Sequence, residues 1–234
     1  MNALEASVDG AIHPIRILTE IIEEIFYAGA HVIYNLLPVP EDLLPENNTT
    51  MTSSAKVILA HGFLANGGGF RGVDYPPDSV VHEYDTMRSM ELSAPEFEKV
   101  IQKYPRAIVI GRSQADRLID IVLQRNKCPG LVGVITIEGP HNGTPMARLL
   151  PFIPSCREMA KATKQIPLNG IPIYNLYFRG WDELVFSKGR ILDCPGGVIN
   201  WPFEGSGHAK AVYSPEIWEA VNKIVASIRK KYSN

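Results

Sequence analysis

Residues 106–117 read RAIVIGRSQADR, and this stretch decides the fold. Residues 107–110 form an apolar run that is too short for a helix and rich in β-branched side chains, so they predict a buried strand. The following GRSQA places Ser113 at a tight corner, and a helix is predicted to begin at Gln114. A strand that turns at once into a helix exposes the side chain at its apex, as in the G-x-S-x-G nucleophile elbow.

Two interpretations of Ser113 follow from this pattern. The hydroxyl is either a catalytic nucleophile or an N-cap for the helix that begins at Gln114. Ala115 occupies the position of the second glycine in the usual motif, which adds one methyl group where the strand and helix cross. Because a five-residue motif such as G-x-S-x-A also occurs by chance, the rest of the sequence is needed to distinguish the nucleophile from the N-cap.

The overall composition narrows the class of protein. A chain of 234 residues fits one sizeable α/β domain, with or without a short appendage. Hydrophobic residues make up 45%, charged residues 21%, and the net charge is -2, so a basic surface for nucleic acid is not expected. The first residues, MNALEASVDGAI, carry acids in place of the basic start of a signal peptide. We therefore expect a cytoplasmic protein, in which the sequons at Asn48 and Asn142 carry no glycan.

The three cysteines, Cys128, Cys156 and Cys194, are far apart and include no C-x-x-C pair. This spacing predicts neither a zinc site nor a fully paired disulfide framework. One disulfide with one free thiol is compatible with the pattern, and three reduced thiols in a cytoplasm are the simpler interpretation.

The chain divides into residues 1–54, an N-terminal amphipathic helix with a linker, and residues 55–234, the main domain. Apolar residues recur at helical spacing over residues 15–37, with Arg16, Glu20, Glu23 and Glu24 on the other side. We expect the apolar face to pack on the domain or on a second copy, which would give a homodimer. The alternatives are an interfacial anchor in peripheral contact with lipid, or a cover over a site, but the acidic polar face suits anionic lipid poorly.

The main domain alternates strand and helix patterns. Residues 56–60, 78–84, 107–110, 131–137, 171–178 and 198–203 are predicted strands, and residues 94–104, 114–125, 156–165 and 215–230 are predicted helices. This alternation predicts an α/β fold with a mostly parallel sheet of about six strands, covered by helices on both faces, and with an N-terminal helical extension.

A serine nucleophile requires a base, and the base requires an acid that fixes its tautomer. Asp182 follows a predicted strand in the turn GWDELV, and His208 follows the last strand in GSGH. The order Ser113, Asp182, His208 is the order found in α/β-hydrolases. Glu183 and Asp193 are the alternative acids, and Asp182 could also be an ordinary turn aspartate.

The other histidines fit the role of base less well. His13 and His31 are in the N-terminal part, and His82 is in an early strand. His61 and His141 stand beside predicted loops of the site, where we expect them to shape its wall.

The first strand of the main domain runs directly into HGFLANGGG, which begins at His61. A glycine-rich loop at a strand end allows backbone N–H groups to turn toward a shared cavity, which is half of an oxyanion hole. The residues expected to contact substrate are His61, Gly62, Leu64, Arg112 and His141.

Five motifs in order, HGF, GRSQA, GPHNGTP, GWDELV and GHAKAVYSP, resemble the bacterial triacylglycerol lipase and esterase group of the α/β-hydrolase superfamily. The resemblance covers about residues 55–230. It implies an α/β-hydrolase that cleaves ester or lipid substrates without cofactor or metal. Ser113 would be acylated, Asp182 and His208 would complete the triad, and the oxyanion would bind the N–H groups of Phe63 and Gln114.

The chain departs from that group at Ala115 and at Arg112, where a histidine or tyrosine is commoner. The charge of Arg112 beside the nucleophile suggests the hypothesis of a substrate with an anionic group. Two further functions fit the same residues: an acyltransferase or thioesterase with the same triad, and a hydrolase-like scaffold without catalysis. Four apolar residues form either an acyl groove or part of the core: Leu149, Leu150, Phe152 and Ile153.

Overall fold

The structure is a computed structural model that describes residues 3–44, 54–163, 166, 170–182, 184–185, 190–192 and 197–233, with side chains of residues 3–18 and 20 left aside. The strands are β1 Lys56–Ala60, β2 Ser79–His82, β3 Ala107–Arg112, β4 Leu131–Ile137, β5 Ile173–Phe178 and β6 Val198–Phe203. The α-helices are α1 Ala3–Leu36, α2 Met90–Gln102, α3 Gln114–Arg125, α4 Pro154–Met159, α5 His208–Tyr213 and α6 Pro215–Lys231.

The six strands form one sheet in the order β2-β1-β3-β4-β5-β6, and every neighbouring pair is parallel. The predicted α/β fold class is therefore confirmed. Strand β2 lies on one side of β1, and the chain then crosses to β3 on the other side of β1. The direction in which strands are added to the sheet therefore reverses between β1 and β3. Ligands of open parallel sheets bind in the crevice at the carboxyl ends of the strands beside such a reversal.

Each face of the sheet has its own hydrophobic core, because successive side chains of a strand point to opposite faces. Ile58 of β1 and Val109 of β3 pack with helices α2, α3 and α4. Leu59 of β1 and Ile108 of β3 pack with helices α5 and α6 on the other face. Strands buried on both faces read as continuous apolar runs, which is the pattern that the sequence shows.

Helix α2 begins at Met90, four residues before the predicted start. The prediction was based on the helical spacing of Phe97, Val100 and Ile101, which all lie after the first turn of the helix. In the structure Pro95 lies inside the helix, and a carboxylate from α4 caps its beginning. Glu158 accepts hydrogen bonds from Ser89 Oγ at 2.5 Å and from the Met90 N–H at 2.6 Å.

Other boundaries differ as well, and four short elements were not predicted. Helix α1 begins at Ala3, 12 residues before the expected start, β3 extends to Arg112, and helix α5 at His208–Tyr213 was not expected. Strands β2 and β5 are shorter than expected, and α4 is Pro154–Met159 where residues 156–165 were predicted. Short 3-10 turns at Glu41–Leu43, Gly67–Phe70 and Pro145–Leu149 occupy segments that were interpreted as loops.

Helix α1 packs with the face that was expected to be polar. Its inward residues include Glu24, which is 8% exposed, whereas Phe26 is 70% exposed and Leu36 is 82% exposed. The expectation that the apolar face packs on the domain is therefore wrong, and its packing on a second copy stays a prediction. The physical reason is that the inward face makes hydrogen bonds with the domain, among them one between His31 Nδ1 and the Tyr213 hydroxyl at 2.9 Å. Among the described residues, no helix combines the length and apolar character needed to cross a membrane.

Several sequence expectations lie outside the described residues: the sequon at Asn48, the alternative acids Glu183 and Asp193, and Cys194. Cys128 and Cys156 are buried free thiols.

Substitution of Trp218 tests the core under α6. This side chain is fully buried, donates from Nε1 to the Val212 carbonyl at 2.9 Å, and meets the Phe70 ring edge-on at 6.2 Å. We expect Trp218→Ala to lower the free energy of unfolding by about 3–5 kcal/mol, as large-to-small core substitutions do. The control Trp201→Ala, at a ring that is 41% exposed, should cost less than about 1 kcal/mol. Equal losses in urea titrations would contradict this account of the core.

Candidate active site

Ser113 occupies a sharp turn between β3 and α3. Its φ is 55° and its ψ is -119°, a conformation that non-glycine residues rarely adopt and that marks functional turns. Its side chain makes no cap hydrogen bond with α3, so the N-cap interpretation does not describe the structure. The neighbouring Ala115 is fully buried in the core, which accommodates the extra methyl group.

The structure brings together the three residues that the sequence selected. His208 Nε2 lies 2.9 Å from Ser113 Oγ, and His208 Nδ1 lies 3.0 Å from Asp182 Oδ2. Both distances are those of hydrogen bonds. Ser113 follows β3, Asp182 follows β5, and His208 follows β6, so the carboxyl edge of the parallel sheet assembles the group.

The Asp182 carboxylate is held ionised and in place. Its Oδ1 accepts the N–H groups of Leu184 at 2.7 Å and Val185 at 2.6 Å, which leaves Oδ2 for the imidazole. Burial opposes ionisation, but the charge and hydrogen bond of His208 and the two backbone N–H groups outweigh it, so the pKa of Asp182 is lowered from its ordinary value. A carboxylate in this position can fix the tautomer of the ring.

The candidate oxyanion donors are the backbone N–H groups of Phe63 and Gln114. The two turns that carry them are both hydrogen-bonded to Thr86. The Leu64 N–H donates to Thr86 Oγ1 at 3.1 Å, and Gln114 Nε2 donates to the Thr86 carbonyl at 2.8 Å. Gln114 is the first residue of α3, where a backbone N–H has no partner inside the helix. At Gly62, a Cβ atom would lie 3.2 Å from Ser113 Cβ, so glycine allows the loop that carries Phe63 to approach the serine closely.

A mostly apolar cavity of about 490 Å³ opens at Ser113 and His208. Helix α1 contributes one part of the lining with Glu24, Ala28, His31, Val32, Asn35 and Leu36. The rest comes from the main domain, including Gly62, Phe63, Leu64, Arg112, Leu184 and Val212. Burial and the charges of Arg112 and His208 lower the pKa of His31 to about 4, so this wall presents a neutral imidazole near pH 7.

The cavity contains three of the five residues that were expected to contact substrate: Gly62, Leu64 and Arg112. The Arg112 side chain is 1% exposed, donates from Nη1 to the Gly69 carbonyl at 2.9 Å, and stacks on Phe70 at 4.1 Å. Its guanidinium is thus packed against the glycine-rich segment, where it supports the loop.

The other two residues of that group, His61 and His141, do not line the cavity. The His61 ring is fully buried, stacks on Tyr84 at 4.6 Å, and lies 3.1 Å from Glu83. His141 is also fully buried, with Nδ1 at 3.0 Å from Asp120. Both histidines therefore lie behind the residues that line the cavity, where they stabilise the neighbouring loops.

The four apolar residues interpreted as either an acyl groove or part of the core, Leu149, Leu150, Phe152 and Ile153, do not line the cavity. Leu149 and Phe152 are exposed, at 68% and 74%, and Ile153 belongs to the buried core beside helix α4. The apolar surface near the serine comes from α1 instead, because the helix brings Val32 and Leu36 to it.

Sequence reasoning missed Glu138, a second carboxylate at the site. Glu138 directly follows β4, has a φ of 54° and is fully buried. One of its carboxylate oxygens lies within 4.8 Å of a carboxylate oxygen of Asp182 and of a ring nitrogen of His208. Burial, and then the charge of Asp182, raise its pKa to about 8 despite the charges of Arg190 and His208. Burial therefore favours the protonated form of this carboxyl, whereas the buried guanidinium of Arg190, with Nη1 at 3.5 Å from Glu138 Oε2, favours the ionised form. The pattern EGP suggested only a loop, so no signal in the sequence pointed to this carboxyl.

Comparisons with known proteins agree on the fold. No protein-family model matches the sequence, and no curated protein matches it. Among solved structures, the metagenomic carboxyl esterase MGS0156 is similar with a TM-score of 0.61 and 14% identity over 77% of each chain. The Bacillus licheniformis lipase BlEst2 in mature form has a TM-score of 0.59 and 12% identity, covering 81% of this chain and 96% of its own.

The type II thioesterase BorB from the borrelidin biosynthetic cluster has a TM-score of 0.53 and 16% identity, covering 75% of this chain and 92% of its own. The chain has the α/β-hydrolase fold. At these identities the likeness concerns the α/β-hydrolase architecture, and the resemblance inferred from the five motifs is confirmed at that level.

The raised pKa of Glu138 predicts a pH dependence of stability. Because the folded protein keeps this proton and the unfolded chain loses it above about pH 4.5, stability decreases as the pH rises from about 4.5 to about 8. Glu138→Gln removes the titration, so its urea midpoint relative to the unmodified protein should increase between pH 5 and pH 8. The exposed Glu96→Gln control should show no such trend. Parallel curves for Glu138→Gln and the unmodified protein would contradict the assignment.

Proposed function

We propose that the protein is a serine hydrolase that cleaves carboxylic esters, with Ser113 as nucleophile, His208 as base and Asp182 as the acid that orients the base. The observation that carries the proposal is the continuous hydrogen-bond chain from Ser113 Oγ through the imidazole to Asp182. Esterases, lipases and a thioesterase among the structural neighbours agree with hydrolase chemistry on this fold.

In the acylation step, His208 Nε2 accepts the proton of the Ser113 hydroxyl while Oγ attacks the ester carbonyl carbon. The negative charge of the tetrahedral intermediate rests on the former carbonyl oxygen, which accepts hydrogen bonds from the N–H groups of Phe63 and Gln114. One such donor is worth about 3–4 kcal/mol of barrier in a studied serine hydrolase. The charge of Asp182 stabilises the imidazolium that forms.

The protonated His208 then donates its Nε2 proton to the leaving alkoxide, and the C–O bond of the ester breaks. Water enters, His208 accepts one of its protons, and the resulting hydroxide attacks the acyl-enzyme carbonyl. Collapse of the second intermediate returns the proton to Ser113 Oγ and releases the carboxylic acid. No step in this sequence requires a cofactor or a metal ion.

The lining of the cavity supports an apolar ester as substrate. Val32, Leu36, Phe63 and Leu64 offer hydrocarbon surface beside the nucleophile, and His31 is neutral near pH 7. A thioester is the second candidate, because the same triad attacks either carbonyl and the fold is shared with a thioesterase. Para-nitrophenyl esters of increasing chain length, acyl thioesters, and acyl donors with added alcohol acceptors separate esterase, thioesterase and acyltransferase activities.

Covalent labelling by a fluorophosphonate probe tests the nucleophile. The unmodified protein should be labelled, and Ser113→Ala should not, because only an activated serine reacts at an appreciable rate. Ser113→Ala should reduce ester turnover by about 10⁶-fold, and Asp182→Asn by about 10⁴-fold. Ser206→Ala, at a nearby serine outside the proposed triad, is the matched control and should still be labelled. If the unmodified protein is folded but is not labelled, the result favours a hydrolase-like scaffold without catalysis.

Substitution of Arg112 tests whether its charge selects anionic substrates. Because the guanidinium is buried against Phe70 and bonded to Gly69, we expect Arg112→Ala to reduce turnover of neutral and anionic esters by the same factor, roughly 10-fold. Matched esters that differ only by a terminal carboxylate give the comparison. A loss confined to the anionic ester would show that Arg112 recognises the substrate charge directly.

A further inference from the structure

The N-terminal helix contacts the segment that carries the proposed catalytic base. Glu24 of α1 accepts the N–H of Ala209 through Oε1 at 2.6 Å and the N–H of Lys210 through Oε2 at 3.1 Å. These two residues directly follow His208. Glu24 is 8% exposed, so its carboxylate is removed from water and committed to this contact. Hydrogen bonds between a carboxylate and backbone N–H groups are among the stronger ones in proteins.

The backbone of the segment is shaped to receive this carboxylate. His208 begins the short helix α5, and the first N–H groups of a helix have no acceptors inside it. Gly207 has a φ of 92°, and a Cβ atom there would lie 2.1 Å from Glu24 Oε2. A side chain at position 207 is thus excluded by the carboxylate as well as by the backbone conformation.

Contacts on the C-terminal side of Glu24 hold α1 in position. His31 is bonded to the Tyr213 hydroxyl at the end of α5, and the Tyr27 ring stacks on Tyr213 at 6.3 Å. Asn35 Oδ1 accepts the Asn66 N–H at 2.8 Å in the glycine-rich loop. The helix therefore connects the two segments that carry the base and the candidate oxyanion donor.

We propose that Glu24 is a positioning residue for His208: by fixing the N–H groups of Ala209 and Lys210, it holds the imidazole between Ser113 and Asp182. This inference rests on the proposed function. The ring has to satisfy two hydrogen bonds at once, of 2.9 and 3.0 Å, so a small rotation of the segment breaks one of them. Displacements of about 1 Å in catalytic groups cost up to about 100-fold in rate.

The chain supplies a matched control next to Glu24. Glu23 is also an acid on α1 near α5, but it pairs with the Lys210 side chain and leaves the backbone N–H groups alone. We expect Glu24→Ala to lower kcat by about 10- to 100-fold with KM changed by less than about 2-fold. Glu24→Gln keeps one acceptor oxygen and should lose roughly 3- to 10-fold. Glu23→Gln should retain the unmodified kcat, and fluorophosphonate labelling rates should follow the same order.

A pH profile separates positioning from a purely structural role. Charged or titratable groups near His208 are Asp182, Glu138, His31, Glu24 and Lys210. The two backbone N–H donors favour the carboxylate form of Glu24. Because a carboxylate near His208 favours the imidazolium, Glu24→Gln should move the acid limb of kcat/KM to lower pH. Glu23→Gln should leave that limb in place, because the acid it removes is paired with Lys210 at a partly exposed site.

Each outcome decides a separate question. If Ser113→Ala is labelled as fast as the unmodified protein, the proposed function fails. If labelling depends on Ser113 but both Glu24 variants match Glu23→Gln in kcat and pH profile, the positioning role is wrong even if the variants unfold earlier in urea. If Glu24→Ala does not fold, Glu24→Gln, which preserves shape, carries the test alone.

Discussion

The backbone of Ser113 adopts a conformation that its own side chain disfavours. Positive φ at a non-glycine residue costs about 1–3 kcal/mol, and it persists only where the surroundings impose it. Here the Ser113 N–H donates to the Ile137 carbonyl of β4 at 2.8 Å, and helix α3 follows immediately with a buried face. The packing of β3, β4 and α3 thus offsets the cost of the positive φ at Ser113, and the hydroxyl faces the cavity. The imidazole contact and the candidate oxyanion donors all depend on this one turn.

Helix α1 packs on the domain with its polar face and leaves its apolar face exposed. Polar residues point inward and bond to both walls of the cavity, whereas Ile22, Ile25, Phe26 and Ile33 are exposed. Buried polar groups stabilise a structure only when they have partners, and the contacts of Glu24 and His31 provide them. The N-terminal segment is therefore a wall of the cavity and a support for α5.

Much of the fold could be predicted because its signals are local. Strands β1, β4 and β6 and helix α3 have the predicted bounds, since apolar runs and helical periodicity act within a few residues. Ser113, Asp182 and His208 could be selected because parallel strands bring their carboxyl ends to one edge. Those three residues lie within hydrogen-bonding distance, as the motif order suggested.

The errors came from interactions between distant parts of the chain. The start of α2 depends on Glu158, which is 68 residues from Met90, so the sequence near Met90 does not reveal it. The orientation of α1 depends on partners more than 180 residues away, so periodicity alone assigned the wrong inward face. Glu138 acquires its raised pKa from burial and from Asp182, and both require the folded sheet.

During synthesis, α1 can make its contacts only late, because its partners lie near the end of the sequence. The acceptor oxygen of Glu24 and the N–H of Ala209 are 185 residues apart, so the helix leaves the ribosome long before its partners exist. At roughly 5–20 residues per second this interval is about 10–40 s. During that time the nascent helix has both an unpaired acidic face and an uncovered apolar face. The cavity at Ser113 is thus one of the last parts of the molecule that can form.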